Sequence, residues 1–198
     1  AANYRGTAAN AVKAYRTAFT ENGVIHSDRQ CEYVRAIAFA LLGEDESKAA
    51  AATLNQMVIE NGYHLNTGFL STPFLCDVLA KYGYADTAYK LLLQPDAPGW
   101  LYEVRVGATT VWERWDGLDE NGECPISNDG TDQMISYNHY ASGAVGAFLY
   151  RRVLGVEPTE AGYRKFKFAP VVGGGITEAE GTVGTPYGVI KAAWKIAD

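Results

Sequence analysis

The stretch ATTVWERWDG holds the residues best placed to do chemistry. Its carboxylate, Glu113, lies between two indoles, Trp112 and Trp115, with Arg114 beside it. In an extended strip, Glu113 and Trp115 share a face with Val111. An indole wall raises the pKa of a carboxylate by desolvation, whereas a nearby guanidinium lowers it. The pattern is typical of a tunable general acid or base beside flat apolar faces on which a sugar can stack. A surface Glu–Arg pair next to core tryptophans stays open as the alternative.

Two further segments carry groups that can bind a polar ligand. In SYNHYASG, Asn138 and His139 stand at the predicted start of a helix, where free N–H donors and an imidazole can contact a hydroxyl. The other reading is a capping Asn and a half-buried His. The segment HLNTGFLSTPF, residues 64–74, is either a binding loop or a plain helix connection.

Composition excludes several classes of function. The chain has 198 residues and a net charge of −6, which argues against a nucleic-acid-binding surface. It holds no apolar run long enough to span a membrane, and it carries no GxSxG, HExxH or P-loop motif. Cys31, Cys76 and Cys124 are far apart and form no CxxC pair, so we expect neither a metal site nor a disulfide framework.

A helical scaffold is predicted to position these groups. Ser27 and Gln30 form a capping-box pattern, and Gly43 is expected just past the end of the helix that follows. Thr72 begins a further helix, and Asp86 is expected to cap the next one. The predicted helices cover residues 8–20, 28–42, 46–61, 72–83, 86–95 and 137–154. Their inward side chains are Leu54, Met57, Val58, Leu75, Val78, Leu79, Tyr82, Tyr89, Leu92 and Leu93.

Two regions lack helical periodicity. A polar stretch over residues 117–133 is long for a loop in a compact domain, which indicates a functional or disordered segment. After Pro158 the period changes to two, with Phe166 and Phe168 alternating with lysines. A β-hairpin is predicted to turn at residues 184–188 and to place Ile190, Ala192, Trp194 and Ile196 on one face.

These motifs, in this order, resemble the family 78 glycoside hydrolases, the α-L-rhamnosidases. The resemblance is carried by HLNTGFLSTPFL, YADTAYKLLLQ, PGWLYEVRVGATTVWERWDG and SYNHYASGAVGAFLYRRVLG, and it covers most of residues 24–170. It implies a mainly α fold: part of an (α/α)₆ toroid of helical hairpins over residues 1–157. Residues 158–198 would then begin a C-terminal β-sandwich. Family members are much longer, so the chain is expected to be a fragment.

The resemblance also implies a mechanism. The family inverts the anomeric centre with two carboxylates, a general acid and a general base. Glu113 matches the base, and His139 and Asn138 match substrate-binding positions. Trp112 and Trp115 would shape the pocket. The substrate would be a rhamnose-containing glycoside or polysaccharide, with water as nucleophile and no cofactor.

The general acid has no counterpart in this sequence. Residues 1–60 hold no Arg-Asp-Glu cluster of the kind that would supply the acid. We therefore expect this fragment alone to be inactive, and half a toroid to expose apolar surface and self-associate.

Two other readings stay open. One is a different toroidal carbohydrase, glucoamylase-like or a uronyl hydrolase. The other is a non-catalytic helical module that binds sugar or protein. The first residues show no signal-peptide pattern, and the compartment stays open between bacterial cytoplasm and periplasm.

Overall fold

The computed structural model describes residues 2–124 and 135–197, and helices fill most of the first part. The six helices of this part, in chain order, are α1 Ala2–Phe19, α2 Gln30–Ala38, α3 Glu44–Glu60, α4 Thr72–Lys81, α5 Ala85–Leu92 and α6 Trp100–Arg105. A short hairpin follows α1 and pairs β1 Thr20–Glu21 with β2 Val24–Ile25. No helix of the described residues is long and apolar enough to cross a membrane.

After the gap the chain changes from short helices to strands. It forms α7 Tyr140–Gly143, α8 Gly146–Phe148, a π-helical turn Leu149–Val153, a 3₁₀ turn Ala161–Tyr163, β3 Val156–Pro158, β4 Phe166–Phe168, β5 Glu178–Thr185 and β6 Gly188–Lys195. The strands pair antiparallel, β3 with β4 and β5 with β6. The β5–β6 pair is the predicted hairpin, with Thr185 opposite Gly188 at its turn.

The core lies between α2, α3, α4 and α5; α2 packs on both α3 and α4, and α4 packs on α5. Leu54, Leu75, Leu79 and Tyr89 are fully buried, as their helical spacing predicted. Met57, Tyr82 and Leu93 are only half-buried. Mutual burial of these apolar faces is the main stabilisation of the four-helix unit.

The helix predicted over residues 28–42 is shorter than expected. It begins at Gln30 without a side-chain cap, and it ends at Ala38 because Ala40 adopts a positive φ. Gly43, expected as a C-terminal stop, instead caps the N-terminus of α3. Its N–H donates to the Glu46 carboxylate at 2.6 Å, and acidic residues in the first turn favour a helix start at this point.

Two other predictions on the helices were wrong. Asp86 does not cap α5; the N-cap is Tyr84, whose N–H instead donates to the Leu79 carbonyl and closes α4 around Gly83. The helix predicted over 137–154 is interrupted between Gly143 and Gly146, and these two glycines are poor helix formers on either side of the break.

The β segment lies against the helices through a few specific contacts. On β6, Ile190, Ala192 and Trp194 face inward as predicted, whereas Ile196, beyond the strand, is 46% exposed. The Trp194 indole N–H donates to the Val153 carbonyl at 2.7 Å. The Tyr89 hydroxyl of α5 donates to the Val171 carbonyl. The boundary between residues 157 and 158 stays a prediction.

Gly173 and Gly174 allow the chain after β4 to approach α5 closely. A Cβ atom at Gly173 would lie 2.5 Å from a ring carbon of Tyr89. At Gly174 it would lie 2.7 Å from the same ring, and φ there is +62°. Only glycine fits both the space and the backbone conformation at this contact.

Candidate functional site

Glu113 lies in a turn that is tied to the segment before α7. Its backbone N–H donates to the Ser136 carbonyl at 2.9 Å, and its Oε2 accepts the Ser136 N–H at 2.9 Å. The side chain is exposed. The expected alignment with Val111 and Trp115 is not found, because the chain turns after Glu113 and those two side chains pack on the core. The carboxylate is therefore held open to solvent rather than desolvated by indoles.

Arg114 has a different partner from the one expected. Its guanidinium donates to the Asp116 carboxylate at 3.1 Å and 2.9 Å. The ion pair lies within the turn, at the protein surface.

The two tryptophans of the motif contact other aromatic rings. Trp112 is 3% exposed and lies edge-on to Tyr137, with ring centroids 5.5 Å apart. Trp115 makes the same kind of contact with Trp100 at 5.5 Å. A Cβ on Gly117 would lie 2.9 Å from the Trp112 ring, so only a glycine lets the turn close over this indole. Both indoles support the turn from inside.

His139 lies beside the Glu113 turn, at the N-cap of α7 as predicted. Its backbone N–H donates to the Val111 carbonyl at 2.8 Å. The imidazole lies between Phe69 and a parallel Tyr140 ring, with centroid distances of 5.6 Å and 5.9 Å. Its Nδ1 is buried and forms no hydrogen bond with any of the described residues. Ring contacts, rather than polar ones, hold this imidazole in place.

The remaining predicted groups lie around the same place. Asn138 is exposed, and its N–H donates to the Ser136 hydroxyl at 3.3 Å. The 64–74 segment reaches the site through Phe69, which is 53% exposed and contacts His139. Hydrogen bonds between Thr67 and Thr72 hold this segment at the start of α4. The structure thus brings the three segments singled out from the sequence together.

An apolar groove borders His139. It encloses about 470 Å³ between the end of α2, α4 and α7–α8. Phe69 and Tyr140 form its wall on the His139 side, and Tyr140 is 86% exposed. Asp77 and Arg151 are the charged residues of its lining. The polar stretch predicted over residues 117–133 continues past Cys124 and lies largely outside the described residues.

One carboxylate near the site was not singled out from the sequence. Glu103 of α6 is 2% exposed, and both its oxygens accept the Trp112 N–H, at 3.3 Å and 3.4 Å. Burial raises its pKa from an ordinary 4.5 to about 7, and the Trp112 N–H partly offsets that rise. The sequence feature that could have identified Glu103 is its position as a lone carboxylate inside the apolar run WLYEV. The desolvated carboxylate expected at Glu113 is therefore found at Glu103.

The arrangement places polar side chains beside exposed aromatic rings. Glu113 offers an oriented carboxylate that can take a proton from water. His139 and Asn138 can contact hydroxyl groups, and exposed aromatic rings border them.

Comparison with known families gives two adjoining matches. Residues 1–153 match the family described as bacterial alpha-L-rhamnosidase 6 hairpin glycosidase domain. Residues 155–198 match the bacterial alpha-L-rhamnosidase C-terminal domain.

Curated relatives cover almost the whole chain. An alpha-L-rhamnosidase of Formosa agariphila is 38% identical over 198 residues, covering 98% of this chain and 21% of the relative. One from Streptomyces avermitilis is 38% identical over 184 residues, covering 92% of this chain and 17% of the relative. The chain therefore spans about a fifth of the length of these relatives.

Solved structures confirm the mainly α architecture with a β segment after it. The alpha-L-rhamnosidase of Streptomyces avermitilis complexed with L-rhamnose superposes with a TM-score of 0.90 at 36% identity, over 99% of this chain and 19% of that one. The native enzyme of Aspergillus terreus gives a TM-score of 0.89 at 36% identity, over 98% of this chain and 22% of that one.

Proposed function

Because the chain belongs to the bacterial α-L-rhamnosidase six-hairpin glycosidase domain family, we propose that it is the part of a longer α-L-rhamnosidase that carries the general base. The longer enzyme hydrolyses terminal α-L-rhamnosyl bonds with inversion, and the general acid comes from a part outside this chain. Support comes from the named relatives and from a structural relative solved with L-rhamnose. These favour a rhamnosidase over another toroidal carbohydrase or a binding module.

The observation that carries the proposal is the hydrogen-bonded, exposed carboxylate of Glu113. The Ser136 N–H occupies Oε2, which leaves Oε1 to accept a proton from water. An inverting enzyme needs room for this water, because its two carboxyl groups stand about 6.5–9.5 Å apart. A base buried in an ion pair could not do this, whereas Glu113 is exposed.

The other predicted residues then serve substrate binding. His139 and Asn138 contact sugar hydroxyls at the edge of the turn. Trp112 and Trp115 shape the pocket from behind, since their rings pack against Tyr137 and Trp100. No step of this mechanism needs a cofactor.

The test is Glu113→Gln in the full-length enzyme with an aryl α-L-rhamnoside as substrate. The amide keeps the size of the side chain but cannot take a proton, so kcat should fall about 10²–10⁴-fold with KM nearly unchanged. Glu120→Gln is the matched control, because that exposed carboxylate pairs with Arg105, whereas Glu113 accepts the Ser136 N–H. Near-normal kcat in Glu113→Gln would remove Glu113 from the mechanism.

A further inference from the structure

The proposed reaction makes no use of the buried carboxylate of Glu103. This side chain lies in an apolar groove of about 450 Å³ between α6, the end of α5 and the π-helical turn. Among the described residues that line the groove, Glu103 is the only ionisable one. Burying a carboxylate in apolar surroundings costs free energy. The presence of Glu103 at this position therefore indicates a role beyond packing.

The partner of Glu103 is a single peptide group between the two candidate residues. The N–H of Trp112 donates to the Glu103 carboxylate. The carbonyl of the same peptide group, that of Val111, accepts the N–H of His139 at 2.8 Å. The next N–H along the chain belongs to Glu113. Because a peptide group is planar, an acceptor at one end and a donor at the other together fix its orientation.

We propose that Glu103 is a positioning residue that fixes Glu113 and His139 relative to each other through the Val111–Trp112 peptide group. The inference rests on the proposed function, because those two residues are its base and its substrate contact. Loss of the acceptor leaves the Trp112 N–H buried without a partner. The peptide group then turns toward another acceptor, and both ends of the site move with it.

The kinetic test compares three variants in the full-length enzyme. Glu103→Met keeps the size of the side chain and removes the hydrogen-bond acceptor. Glu103→Asp keeps the negative charge but moves the carboxylate away from the Trp112 N–H, because its side chain is shorter. Glu103→Gln keeps a hydrogen-bond acceptor and removes the charge. A misplacement near 1 Å can cost about 10²-fold in rate. In Glu103→Met and Glu103→Asp, kcat should therefore fall on the order of 10-fold or more, with KM within about threefold of wild type. The kcat of Glu103→Gln should stay within about threefold of wild type. Arg105→Gln, on the same helix, is the control.

A second readout does not depend on turnover. Hydrogen–deuterium exchange of peptides spanning residues 108–117 should be faster in Glu103→Met and unchanged in Glu103→Gln. Wild-type kcat in Glu103→Met, or unchanged exchange over residues 108–117 in that variant, overturns the inference. If Glu103→Met does not fold, wild-type kcat in Glu103→Asp overturns it instead.

The two proposals fail in different ways. Near-normal kcat in Glu113→Gln rejects the proposed function whatever Glu103 does. A strong loss in Glu113→Gln with wild-type behaviour in all Glu103 variants rejects only the positioning role.

Discussion

Glu103 makes the stability of the fold depend on pH. Its pKa lies near 7 in the fold and near 4.5 when exposed. Below pH 4.5 the carboxyl is protonated in both states, so its contribution is fully present. As the pH rises toward 7 the unfolded chain releases the proton first, and that contribution is lost. With about 1.4 kcal/mol per pKa unit, the loss amounts to at most roughly 3–4 kcal/mol.

We therefore expect the urea midpoint of the chain to fall between pH 5 and pH 8, and to fall less in Glu103→Gln, whose amide does not titrate. Circular dichroism at both pH values measures this difference. Glu44→Gln, at an exposed position, should keep the wild-type change. An identical pH dependence in Glu103→Gln and wild type would show that Glu103 is not the titrating group.

At the residue scale, the sequence predicted which segments meet better than how their side chains are arranged. The motifs around Glu113 and His139 lie side by side in the structure, and the roles of these residues stay predictions. The surroundings of Glu113 were mistaken, since an extended strip was assumed where the chain turns. Glu103 was missed because no helix was predicted over α6, so nothing indicated that this side chain is buried against the Trp112 N–H.

At the scale of elements, one guanidinium joins three of them. Arg152 of the π-helical turn donates to Asp77 of α4 at 2.6 Å and to Glu157 of β3 at 2.9 Å. Its side chain is only 14% exposed. The network therefore ties the end of the helical part to a helix of the core and to the first strand that follows.

Arg152→Met should destabilise the fold by about 1–3 kcal/mol, because two partly buried carboxylates lose their shared cation. Urea unfolding at fixed pH measures the change. The matched control is Lys165→Met, which removes an exposed pair with Glu160 and should cost less than about 1 kcal/mol. Equal losses in the two variants would mean that the Arg152 network adds nothing beyond a surface pair.

Element ends were less predictable than element positions. Apolar periodicity gave the helices α3, α4 and α5 and the β5–β6 hairpin. Gly43 was assigned to the wrong end, since a glycine can either stop a helix or precede one. At Gly43 the helix start is favoured by the acidic first turn of α3 and by the hydrogen bond from the Gly43 N–H to the Glu46 carboxylate.

At the scale of the whole molecule, large apolar side chains remain uncovered. Val104 is 64% and Leu149 is 41% exposed, and both line the groove that holds Glu103. Phe69 and Tyr140 are exposed beside the groove that borders His139. Contiguous apolar surface of this kind favours association.

We expect the isolated 198-residue chain to self-associate, as judged by light scattering across a concentration series. The double variant Val104→Glu/Leu149→Glu should reduce the average mass, because charge on the groove opposes contact. Lys13→Glu, on exposed α1, is the control and should leave it unchanged. A monodisperse monomer for the wild-type chain would contradict this expectation.

The close contact between Tyr89 and the pair Gly173–Gly174 joins residues 1–153 to residues 155–198 and limits which substitutions each segment can accept. Any side chain larger than hydrogen at either glycine would collide with the ring, whereas a smaller residue at 89 would leave a void and a carbonyl without its donor. A substitution at Gly173 is therefore tolerated only together with a smaller side chain at position 89, whereas the positive φ at Gly174 requires glycine in either case. In lineages of this family the C-terminal segment should be inherited with its own helical partner, and recombination at residue 154 between distant homologues should be selected against.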